Sequence, residues 1–149
     1  MFCLPVEYGG LGIMSAELNG SVGQNEQYST LVNFESMRAD LMWRLFKVAI
    51  EHLGSEWHDR DDVLSLDAKR IQDYQTLGWV VHPSTFADVR SQAAFNRFAL
   101  RVCSSLEERG YHGVLGQVME TMANDSFQTS QAALLSTLLP PVTRYDKVA

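Results

Sequence analysis

Residues 29–54, STLVNFESMRADLMWRLFKVAIEHLG, carry the longest periodic apolar pattern in the chain and therefore constrain its fold most. Phe34, Met37, Leu41, Leu45 and Val48 recur at offsets of three and four, and Met42, Phe46, Ala49, Ile50 and Leu53 widen the stripe. That spacing predicts a buried helix. His52 in its last turn and Gly54 just beyond predict where it stops, since glycine readily takes the left-handed conformation that closes a helix.

The remaining chain repeats the theme. Leu64, Ala68, Ile71, Tyr74 and Leu77 predict a shorter amphipathic helix ending before Gly78, followed by an extended Trp79-Val80-Val81 link that stops at His82-Pro83. Ser84 or Thr85 then offers a cap, with Asp88 in the first turn, for a third helix running to about Arg109. A fourth holds Val114, Val118 and Met122 beside Tyr111, Leu115 and Met119, although Gly113 and Gly116 each cost about 1 kcal/mol relative to alanine. Asp125 and Gln128 resemble a capping box for a fifth, with Phe127, Leu134, Leu135, Leu138 and Leu139 apolar, until Pro140-Pro141 ends it. No hairpin signal or internal repeat is present. The expectation is an all-α protein: a compact bundle of four to five helices over 25–139, an extended N-terminal arm over 1–24 and a short C-terminal tail over 140–149. A chain of 149 residues can close one such core without metals or disulfides.

In the arm, Phe2, Leu4, Val6 and Tyr8 alternate with Cys3, Pro5 and Glu7, and Leu11 and Ile13 continue the pattern past a glycine pair. Laid out straight, these six form one apolar face, and Pro5 favours an edge or an arm lying on helices. Such an arm either closes its own bundle or docks on a neighbouring copy or another protein, with the glycines as a hinge. The six are the candidate partner-binding residues. Glu7-Tyr8-Gly9-Gly10-Leu11-Gly12 resembles a string found in the acyl-CoA dehydrogenases, where it lies inside a helical domain that a β-barrel and a second bundle complete around a flavin. Here the string precedes every predicted helix and too little sequence follows for a barrel, so neither a flavin nor any other cofactor is expected.

Arg90, Arg97 and Arg101, at offsets of seven and four, fall along one side of the third helix, against the ordinary alternative of a solvated face. Guanidinium forks pair with carboxylates or phosphates, so the row is a candidate site for an acidic partner or a nucleic acid. A helix-turn-helix arrangement fits poorly, because its link is long and Phe86, Phe95 and Phe98 crowd the side meant for a groove. A net charge of −6, and the absence of Lys or Arg before Arg38, disfavour non-specific binding to nucleic acid.

Catalytic signatures are missing. His52, His58, His82 and His112 form no HExxH pair, and Cys3 and Cys103 follow no CxxC spacing. The Trp57-to-Asp62 stretch, WHDRDD, lacks the pattern of a calcium loop and reads as an acidic surface connector, so no metal site is expected. Met37, Met42, Met119 and Met122 read as core fillers. No secretory signal or membrane span is visible, so a cytoplasmic protein is expected. Together these point to a non-catalytic structural or adaptor subunit, an oligomer that contacts copies of itself or another protein through its arm. The alternative is a small nucleic-acid-binding regulator using the arginine-bearing helix.

Overall fold

The computed structural model describes residues 1–22, 31–34, 37–53 and 61–139. It overturns the all-α expectation. A four-stranded sheet in the order β1-β2-β3-β4 is built from β1 (Glu17–Val22), β2 (Met37–Trp43), β3 (Val48–His52) and β4 (Val80–Ser84). Helices are α1 (Asp61–Thr76), α2 (Phe86–Val89), α3 (Gln92–Glu108), α4 (Val114–Met122) and α5 (Asp125–Leu138). The protein is thus an α/β fold and not a helical bundle. β1, β2 and β3 pair antiparallel, while β4 lies parallel to β3 after a crossover through α1, the connection that a parallel pair requires.

The stretch read as the first helix is two strands folded on a tight turn. Arg44–Phe46 forms one turn of 3-10 helix, and Lys47 follows at φ +51°, reversing the chain. Trp43 then pairs with Val48, Met42 with Ala49 and Leu41 with Ile50. The helical pattern misled because β3 is central: Val48, Ala49, Ile50 and Glu51 are all buried, so the alternation that marks a half-exposed strand is absent. In β2, Met37 and Ala39 share a cluster with Met42, so the buried face changes parity across the exposed Asp40. Asp40 accepts the His52 N–H at 2.7 Å.

Each face of the sheet has its own layer. On one side Tyr74 of α1 and Trp79 pack with Val22, Met37, Ala39, Met42 and Ala49. On the other, Trp43, Val48 and Ile50 meet Phe95, Phe98, Val102 and Leu106 of α3, with Val114 and Val118 of α4 and Phe127 of α5 behind. Polar groups inside the first layer are matched. Tyr74 Oη donates to Glu51 Oε1 at 2.5 Å, with Arg70 at 3.4 Å, and buried Asp73 accepts the N–H groups of Asn33 and Phe34 at 2.6 and 3.0 Å.

The predicted third helix is divided. Thr85 N–H donates to Asp88 Oδ2 at 3.0 Å to start α2, and Ser91 Oγ accepts from Ala94 at 3.2 Å to start α3. α5 is capped by Asn124, which accepts from Phe127 at 3.1 Å, rather than by Asp125. Gln128, offered as the other half of that capping box, donates to the Met122 carbonyl at 3.1 Å.

The amino terminus is a closed loop and not an extended arm. Val6–Tyr8 form a 3-10 turn, and the segment returns on itself through Leu11 N–H to Met1 O, Gly12 N–H to Leu4 O and Ile13 N–H to Phe2 O, at 2.8–3.0 Å. The glycine pair now has a local reason. A Cβ on Gly9 would lie 2.6 Å from the Ser130 backbone of α5, and one on Gly10 would collide with Leu4. Most of the acidic connector and the tail over 140–149 lie outside the described residues.

Candidate protein-association surface

Of the six arm residues, the structure divides the set. Phe2, Leu11 and Ile13 are buried in the α3 layer, where Phe2 meets Trp43, Phe95 and Phe98 edge-on at centroid distances of 5.8, 5.3 and 6.0 Å. Val6 is half-buried against the same cluster. Leu4 and Tyr8 face outward, at 40% and 67% exposure. The folding of residues 5–8 into a turn breaks the strict alternation that an extended arm would have kept.

The arginine row is also divided. Arg90 closes α2 and does not stand on α3. Arg97 and Arg101 do, one turn apart, and both line an open groove of about 500 Å³ with Leu100 and Ser104 of α3 and Leu115 and Met119 of α4. The groove's floor is apolar: Leu100 and Leu115 are half-buried, and Met119 is 55% exposed. Sequence reasoning placed Met119 in the core. It lies on the flank of α4 away from the buried Val114 and Val118.

The two arginines differ electrostatically. Arg101 Nη2 pairs with Asp88 Oδ1 at 3.1 Å, and its guanidinium lies 5.4 Å from the Phe98 ring centroid. Burial works to raise the Asp88 pKa, but the bonds from Thr85 and the pairing with Arg101 prevail and hold it below its ordinary value. Arg97 is exposed and makes no ion pair among the described residues. α4 is fixed beside α3 by Glu107, which accepts the N–H groups of Gly113 and Leu115 at 2.8 and 3.2 Å. Those bonds, chiefly the one from Gly113, lower the Glu107 pKa.

Behind the groove, His82 Nε2 lies 3.0 Å from Ser105 Oγ and its ring meets Phe98 edge-on. Burial, with a smaller contribution from Arg101, lowers the His82 pKa. The pair tethers α3 to β4, and neither residue lines the groove. Cys103 is buried, which pushes its thiol up to about 12 and leaves it protonated at neutral pH. Among the described residues, no three His, Cys, Asp or Glu side chains are grouped to hold a metal ion, and no helix is long and apolar enough to cross a membrane.

Comparison of the chain with family models, with curated proteins and with solved structures gives no match. Its function is therefore argued from its own geometry.

Proposed function

We propose that the protein is a structural or adaptor subunit that acts by association, and that its contact surface is the α3–α4 groove. The observation that carries this reading is an apolar floor, the half-buried Leu100 and Leu115 with the exposed Met119, beside Arg97 and Arg101. Apolar surface rimmed by charge is the arrangement that protein contacts use: the centre excludes water and the rim fixes orientation. The arm contributes less than its sequence promised, because Phe2, Leu11 and Ile13 serve the chain's own core. Leu4 and Tyr8 remain as a smaller outward patch.

The test is capture from extracts of the source cells by wild type, by Met119→Asp and by Leu18→Asp, which places the same charge on the exposed edge strand instead. At least one protein should be held by wild type and by Leu18→Asp, and lost with Met119→Asp. Identical profiles for all three overturn the reading.

A further inference from the structure

We infer that the occupant of the α3–α4 groove is an acidic, amphipathic helix of another protein. This rests on the association reading above and adds the partner's chemistry. The lining along α3 runs from Arg97 to Ser104, a length of about 10 Å, which suits about two turns of a docked helix. Apolar residues at spacings of three and four would cover Leu100, Leu115 and Met119, and carboxylates on one edge would meet Arg97 and Arg101. Arg97 makes no ion pair among the described residues, whereas Arg101 must share its guanidinium with Asp88 or exchange it.

Gly116 supplies an independent observation. It stands in the interior of α4, exposed, with nothing among the described residues within 4 Å of where a Cβ would be. Glycine there weakens the helix by about 1 kcal/mol relative to alanine, and no contact among the described residues explains it. Helix geometry places it about 60° around α4 from Met119, on the solvent side of the groove. Bare backbone at that position lets a second helix lie close against α4.

The charge pattern also selects among occupants. A two-fold contact between copies through this short groove would bring two arginine pairs together, and like charges repel. A nucleic acid would gain little from an apolar floor and would meet a chain of net charge −6.

The experiment is fluorescence anisotropy with two synthetic amphipathic peptides that share one leucine stripe, one carrying Glu along its edge and the other Lys, and with a short DNA duplex. The Glu peptide should bind saturably, and the Lys peptide and the duplex should not. Arg97→Glu should weaken the Glu peptide at least about tenfold. Gly116→Ala should raise the melting temperature yet weaken binding, a pair of opposite effects that a purely structural role would not give. The proposal is overturned by no binding of the Glu peptide, by equal binding of the Lys peptide, by tighter binding of the duplex, or by affinity unchanged in either variant. A molecular mass that doubles in solution and is halved by Arg97→Glu would overturn the occupant while leaving the association reading standing. Failure of the capture experiment would remove that reading itself.

Discussion

Phe2 fills a space between Trp43, Phe95 and Phe98 that no neighbouring side chain can reoccupy without leaving its own contacts. Replacing it with alanine should lower the unfolding free energy by about 3–5 kcal/mol, read from denaturant unfolding at neutral pH. A loss below about 1 kcal/mol would mean that the amino-terminal loop is not seated in the core. Gly9 tests the same seating from the other side. At φ +83° and against the backbone of Ser130, alanine adds both left-handed strain and a collision that no side-chain rotation relieves. Gly9→Ala should cost about 2–4 kcal/mol by the same measurement, and a neutral result would show that the loop stands away from α5.

At the scale of elements, α3 is tied to the edge of the sheet by His82 on β4. The folded state holds its imidazole below the ordinary value of 6.5, so the folded protein favours the neutral ring and the unfolded chain binds the proton first. The contribution is fully present above about 6.5 and is lost as the pH falls through that value towards the lowered one. Stability of the wild type should therefore decline more steeply below pH 6.5 than that of His82→Gln, which keeps a hydrogen-bonding group towards Ser105. Parallel profiles would show that His82 is as hydrated as in the unfolded chain.

The elements also show what the sequence made legible. α1, α4 and α5 each keep one face towards solvent, so their apolar residues recur at helical spacing, and Gly78 and Pro140 fall close to the observed ends of α1 and α5. The link over residues 79–81 was legible as extended, but His82-Pro83 does not stop it: β4 runs Val80–Ser84, because Pro83 lies on an edge strand where its missing N–H costs no ladder bond. β2 and β3 were not legible as strands. Offsets of three and four from Met37 to Val48 fit a helix as well as they fit two short strands, and the only break is a turn made by Arg44–Lys47 without glycine or proline. Arg97 and Arg101 were visible as a pair because both stand on one uninterrupted helix. Arg90 fell away because Ser91 restarts the backbone between them. The groove's apolar floor was hidden, since Leu115 and Met119 sit one residue from the buried Val114 and Val118 and only packing separates the two stripes.

For the whole molecule, the sheet is covered on both faces, by α1 on one and by α3, α4, α5 and the amino-terminal loop on the other. Outside that construction, among other exposed apolar side chains such as Leu18 and Leu45, lies the α3–α4 groove, where apolar residues and two arginines stand together, and the partner is placed there. Hydroxyl-radical footprinting of the captured complex against the free protein tests this most directly, because Met119 and Tyr8 are both exposed and oxidisable in the free chain. Oxidation of Met119 should fall by about tenfold or more in the complex while that of Tyr8 stays unchanged, as expected for a residue at the dry centre of a contact. Protection of Tyr8 with Met119 still fully oxidised would contradict the account and return the contact to the amino-terminal segment.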